Sequence, residues 1–160
     1  MKTIFIGRHA KSSWADLLMS DFERPLNERG KHDAPIMAHR LKEMGFSPQC
    51  IISSPANRAL STAKYYAKTF DLPVHTKANL YHGVPENYIE ALQEADDTFD
   101  SVILFGHNPT LTMIANEIQY NCIDNIPTSG VIIATSDKNK WSDVEWKNCK
   151  LIKIIYPKET

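Results

Sequence analysis

Thr3-Ile4-Phe5-Ile6-Gly7-Arg8-His9-Ala10 is the stretch on which the reading of the fold turns. A short run rich in β-branched and aromatic side chains has the composition of a buried strand, and here it breaks at once into a cation and an imidazole. The pattern recurs downstream. Ser101–Phe105 is a second such run, leading into Gly106-His107-Asn108-Pro109, and Cys50–Ser53 is a shorter one, leading into Ser54-Pro55-Ala56-Asn57-Arg58. Between these runs the apolar period changes from strand-like to helical. Asn27 to Gly45 spaces Ala34, Met37, Ala38, Leu41 and Met44 along one helix face, with Gly45 as a C-cap and Pro35 marking a start or kink in the first turns. Pro55 to about Phe70 places Ala59, Ala63, Tyr66 and Phe70 on a stripe, and Pro85 to about Ala95 and Pro109 to Ile118 read as shorter helices opened by proline. Strands alternating with helices predict an α/β layered domain with a largely parallel sheet.

The rest of the chain fits this frame. Pro73–Thr76 is read as a third strand, and Gly130–Ser136 and Lys150–Tyr156 as two further strands joined by a loop across the polar stretch Asp137 to Asn148 at the sheet edge. A length of 160 residues suits one domain, read as residues 1–160. With 18 Lys and Arg against 19 Asp and Glu the net charge is −1, and a 42% apolar, 23% charged composition is that of a folded globule rather than a disordered tail or a nucleic-acid-binding polycation. The longest apolar runs, Val102–Phe105 and Val131–Ala134, are far below the ~18 to 20 residues of a membrane span, and Arg8 interrupts the first run too early for a signal-peptide core. The expected location is therefore the cytoplasm. Cys50, Cys122 and Cys149 lack CxxC spacing, so they are read as reduced thiols filling space.

Chemistry concentrates just past the carboxyl ends of three expected strands, where open α/β sheets form their ligand crevice. Arg8-His9-Ala10, Ser53 to Arg58 and Gly106 to Pro109 meet there if the strands are adjacent. Two of these segments open helices, with Ser54 and Asn108 as expected N-caps, and unpaired N–H groups at helix starts attract anions. Arg58 is unusual because a cation in a first turn opposes the helix dipole. Either its side chain snorkels into solvent or it grips an anion with its planar fork of donors. Arg8 poses the same alternative.

Taken with Asp21-Phe22-Glu23-Arg24-Pro25-Leu26 through Gly30, and with Thr62-Ala63, these blocks resemble the histidine phosphatase superfamily in the right order along nearly the whole chain, and within it the short SixA-type phosphohistidine phosphatases. Ala10 stands where many members carry Gly, a small-for-small change. The resemblance implies a three-layer α/β/α domain of the phosphoglycerate mutase-like type, with a six-stranded mixed, mostly parallel sheet whose fifth strand is antiparallel. It implies that His9 is the nucleophile, that Arg8 and Arg58 hold the phosphoryl oxygens, and that His107 lies across the transferred group, with neither metal nor cofactor. The implied substrate is a phosphohistidine-containing protein, such as a phosphotransfer domain or phosphocarrier. This chemistry is sound on its own terms, because neutral imidazole is a competent nucleophile near pH 7 and guanidiniums neutralise the phosphoryl oxygens. Lys11, Ser12, Arg24 and Asn108 are candidate substrate contacts, the first three being equally readable as exposed loop polars, and Trp14 and Tyr81 either line the mouth or pack. His32, His39, His75 and His82 show no metal-ligand spacing.

Two alternatives remain: a small-molecule phosphomonoesterase of the same superfamily, and a phosphate-binding module without turnover. Mutase-like relatives carry a lid insertion, whereas only residues 77–100 separate the third and fourth strands here, and a binding module need not retain His9. Mutase-like relatives also place a glutamate acid just after the third strand. Here that stretch reads Asn79-Leu80-Tyr81-His82-Gly83, which puts Tyr81 at the position and leaves Glu86, on the next helix, as the candidate acid. A serine hydrolase is disfavoured, since Ser53 and Ser54 lack a nucleophile elbow.

Overall fold

The computed structural model describes residues 1–157. In chain order its elements are β1 (Lys2–Arg8), α1 (Glu28–Glu43), β2 (Cys50–Ser53), α2 (Asn57–Phe70), β3 (Val74–Thr76), α3 (Pro85–Gln93), β4 (Ser101–Gly106), α4 (Thr110–Ile118), β5 (Val131–Ser136) and β6 (Cys149–Ile155). The six strands lie in the order β3-β2-β4-β1-β5-β6. β1, β2, β3 and β4 pair in parallel, while β5 runs antiparallel to both of its neighbours. This is the mixed, mostly parallel sheet expected.

Alternation along β1 explains the layers. Ile4 and Ile6 face a core built with Tyr88, Leu92, Leu111 and Ile114 of α3 and α4, whereas Phe5 faces the opposite core with Met37, Leu41, Ala63 and Tyr66 of α1 and α2. Helices therefore cover both sheet faces, and β4 is buried along its entire length, which is why its sequence is an unbroken apolar run.

Several local expectations need amending. Asn27 caps α1, accepting the Gly30 N–H at 2.9 Å, and Pro35 is carried within the helix rather than starting it. Gly45 follows the α1 C-cap at φ 88°, as a helix-terminating glycine does. Neither Ser54 nor Asn108 is an N-cap: Ala56 and Pro109 hold those positions. Their side chains nonetheless take nearby backbone N–H groups, Ser54 Oγ that of Ala56 at 3.3 Å and Asn108 Oδ1 that of Thr112 at 3.1 Å. The polar stretch before β6 is more than a loop. Trp141, Val144 and Trp146 are buried in the α3/α4 core, and the two indole N–H groups donate to Phe99 O and Pro85 O. Charged neighbours masked this apolar anchor in the sequence.

Candidate active site

Strand register builds the site. β1 and β4 are adjacent and parallel with Arg8 opposite Gly106, so the residues that follow, His9 and His107, emerge side by side. Their ring centroids are 5.3 Å apart. Ser53 pairs with Phe105, which brings Ser54 alongside, and Ser54 Oγ lies 2.8 Å from His107 Nε2. Gly106 is required at this junction because any Cβ there would overlap the Tyr88 phenol. That phenol donates to Leu80 O and accepts the His107 N–H, fixing the backbone just where the imidazole departs.

His9 is buried, and its Nδ1 lies 2.7 Å from the Ala10 carbonyl oxygen. A carbonyl can only accept, so Nδ1 carries the proton and Nε2 keeps its lone pair. Burial, reinforced by the charges of Arg58, Arg8 and Arg24, draws its pKa down to about 4. His107 is drawn down to about 3 by burial, then by His9 and Arg58. Both rings are neutral near pH 7. His107 Nδ1 and Arg8 Nε are buried without a hydrogen-bond partner among the described residues. Arg8 is otherwise held by donation from Nη1 to Ile126 O at 2.8 Å.

Arg58 reaches the same place from the first turn of α2 and does not snorkel, being only 7% exposed. Thr62, one turn on, ties this helix to the first motif: its hydroxyl donates to Arg58 O at 2.7 Å and accepts the Ala10 N–H at 2.9 Å. Beside Arg58 and His107 opens a cleft of about 390 Å³, walled by Tyr81, Val84, Thr110 and Met113. Two guanidiniums and two neutral imidazoles thus gather at the edge of the cleft, next to a free imidazole nitrogen, and side chains of this kind can bind tetrahedral oxyanions. Among the described residues no group of three or more His, Cys, Asp or Glu side chains is placed to hold a metal ion.

Residues 4–82 match the model of the histidine phosphatase superfamily (branch 1). The whole fold is similar to a structure provisionally assigned as the phosphohistidine phosphatase SixA of Agrobacterium tumefaciens, with 27% identity, TM-score 0.84 and coverage of 98% of this chain and 99% of that one. In both respects the chain is similar to the histidine phosphatase superfamily. An uncharacterised protein of Mycobacterium tuberculosis is 27% identical over 86% of this chain and 91% of its own length. The fold of this superfamily is also seen in the protein histidine phosphatase SixA complexed with tungstate, at 22% identity, TM-score 0.80 and 96% coverage of both chains.

The other sequence candidates are distributed unevenly. Arg24 is buried and donates to Ser12 Oγ, to Ser13 O and to Asp21 Oδ1, while its guanidinium stacks 3.3 Å from the centroid of the exposed Trp14 ring. Lys11 is exposed, and its carbonyl oxygen, which takes the Asn27 N–H, sits so close to Gly30 that a side chain there would collide. Asn108 borders the cleft, yet its amide is spent on Asn125 Oδ1, Ile126 O and Thr112, so it supports the loop rather than offering a free donor. Glu86 does not join the cluster. It is exposed in a separate groove with Glu117, Glu145 and Trp146, because α3 turns it away from the cleft that Tyr88 of the same helix approaches.

Two partners went unassigned in the sequence. Asp21 accepts from Arg58, Arg24 and Tyr81, and Ser54 contacts His107. Asp21 stood inside the block ending in Arg24-Pro25-Leu26, but nothing in that spacing indicates a contact with a helix 37 residues away.

Proposed function

We propose that this chain is a phosphatase that removes phosphoryl groups from a phosphohistidine-containing protein through a covalent intermediate on His9. The observation that carries the reading is the locked His9 tautomer, with Nε2 free beside two guanidiniums and His107. His9 Nε2 attacks phosphorus, the substrate P–N bond breaks, and the departing imidazole keeps the bond electrons and takes a proton from solvent. Water then attacks the phosphoryl group on His9, releasing phosphate and restoring the neutral ring. Arg8 and Arg58 neutralise the oxygens as charge spreads over them, and the unpartnered His107 Nδ1 gains an acceptor when it carries the proton. No step of this route calls on a metal or organic cofactor.

Preference for phosphohistidine over alkyl phosphates is supported by the lack of a poised acid among the described residues. Burial, and then the hydrogen bond that its hydroxyl donates to Asp21 at 2.7 Å, raise the Tyr81 pKa from a range already too high for the task, and Glu86 faces another groove. An alkoxide departs poorly without protonation, worth roughly a hundred to ten thousandfold, whereas an imidazole accepts a proton near neutrality. A protein-sized substrate suits the cleft's surroundings. Val84 and Met113 on its wall are half exposed, and Trp14, stacked on Arg24, is 69% exposed.

The competing reading is a small-molecule phosphomonoesterase, since the fold is shared by mycobacterial glucosyl-3-phosphoglycerate phosphatase at 13% identity and TM-score 0.67. Phosphate release from a phosphohistidine domain and from 3-phosphoglycerate, compared as kcat/KM with and without chelator, decides between them. At least a hundredfold preference for the protein, unchanged by chelator, is expected. Equal efficiency overturns the phosphohistidine assignment, and binding without any release leaves a phosphate-binding module.

A further inference from the structure

Two segments remote in sequence, together with Arg24 three residues on, converge on one carboxylate at the edge of the cleft. Asp21 lies in the single helical turn Asp21–Glu23 before α1. Its Oδ2 accepts from Arg58 Nη2 at 3.0 Å and from the Tyr81 hydroxyl at 2.7 Å, and its Oδ1 accepts from Arg24 Nη1 at 3.1 Å. Its main-chain oxygen accepts from Arg58 Nη1 at 2.7 Å. Arg58 is thereby gripped across its two terminal nitrogens, and its Nε has no partner among the described residues. An arginine held end-on keeps its lateral edge, Nε–H with one Nη–H, available for a second oxyanion.

We propose that Asp21 is a positioning residue, fixing Arg58 so that its lateral edge meets the phosphoryl group while Tyr81 and Arg24 are locked as the adjoining wall. This rests on the reading of the cleft as a phosphoryl site. It also answers why a cation is stable in the first turn of α2: the opposing helix dipole is offset by a carboxylate and a carbonyl bound directly to the guanidinium.

Two other roles fit an acid near an anion site, and the contacts discriminate among them. An ordinary surface ion pair contributes little, but here both arginines are buried and the carboxylate is shared by three donors, which restricts Arg58 to one orientation. A carboxylate that mimics the phosphoryl group and blocks the site would be displaced by it. Asp21 is not free to leave in that way, since one of its two bonds to Arg58 is made by its backbone. The shared bonds hold its carboxyl well below the usual range, with Tyr81 contributing most, so the charge persists at any working pH.

The test is calorimetric titration with inorganic phosphate, which reads the site without requiring turnover. Asp21→Ala is expected to weaken phosphate binding about tenfold, and Asp21→Asn, which keeps an acceptor without the charge, by less. In an Arg58→Ala background Asp21→Ala should change affinity by less than about twofold, because its action runs through Arg58. Tighter phosphate binding by Asp21→Ala would establish blocking instead, and unchanged or additive effects would reduce Asp21 to a surface contact. If Asp21→Ala fails to fold, Asp21→Asn in the same cycle decides. Failure of the wild-type protein to bind phosphate would sink the phosphoryl site itself, a separate result from a negative cycle.

Discussion

β1 carries a buried or half-buried cation at each end, and the two are treated differently. Lys2 is 2% exposed, donates to Asp97 O at 2.9 Å and Phe99 O at 2.7 Å, lies 3.6 Å from the Asp100 carboxylate and sits over the Trp141 ring. The loop before β4 satisfies it completely. Among the described residues Arg8, at the other end, makes one side-chain hydrogen bond, faces no carboxylate, and buries Nε without a partner, while burial and Arg58 lower its pKa. A buried donor left unpaired costs about 1–3 kcal/mol, and a fold that satisfies Lys2 but leaves Arg8 Nε without a partner is what the proposed role of Arg8 in holding a ligand would require. The position agrees with the chemistry, since open α/β sheets bind ligands at strand carboxyl ends.

The largest expected effect tests whether the Arg8 end is catalytic at all. His9→Ala should lower phosphate release more than about a thousandfold while the circular dichroism spectrum and melting transition stay close to wild type. His9 follows the last residue of β1, and the apolar side chains of both cores stay in place. A well-folded variant with near wild-type turnover would end the assignment.

The next prediction turns the comparison into a crossed experiment. Lys2→Met should cost about 1–3 kcal/mol of stability, read as a lower denaturation midpoint, because Asp97 O loses its ammonium donor, yet leave kcat/KM within about twofold. Arg8→Met should do the reverse. It removes an unpaired buried donor, so stability should hold or rise, while phosphate affinity falls at least about a hundredfold with the loss of a charged, forked donor. Loss of stability in both variants with affinity intact would show that the two ends of β1 do not differ in purpose.

What the sequence revealed follows the same division. Arg8, His9 and His107 were legible because strand ends and parallel register are local consequences of apolar runs, and register alone sets the two imidazoles beside each other. The sheet, its helices and the antiparallel β5 followed from the same runs and from the family resemblance. Asp21, Tyr81 and Ser54 were not legible as partners, since their contacts join loops whose relative placement depends on the finished packing. Trp141 and Trp146 were hidden for a related reason: single apolar residues among charges carry no period, although each indole is anchored by a hydrogen bond to a distant carbonyl.

The smallest expected effect concerns the acid. Glu86 is the nearest carboxyl in sequence to the position that Tyr81 occupies, and it would be the natural proton donor if the cleft handled alkyl phosphates. In the structure it is exposed on α3 with Glu117 and Glu145 around it, in a groove that shares no wall with the one beside Arg58 and His107. Proton transfer needs hydrogen-bond reach, directly or through one water, and a side chain opening onto another groove does not supply it. Glu86→Gln is therefore expected to change kcat/KM for a phosphohistidine domain by less than about twofold, well short of the hundredfold or more that a general acid contributes. The informative substrate is the alkyl ester. If Glu86→Gln depresses a slow hydrolysis of 3-phosphoglycerate tenfold or more, α3 must move to bring the carboxyl over the cleft, and the contrast between a committed Tyr81 and a remote Glu86 would no longer explain a preference for phosphohistidine.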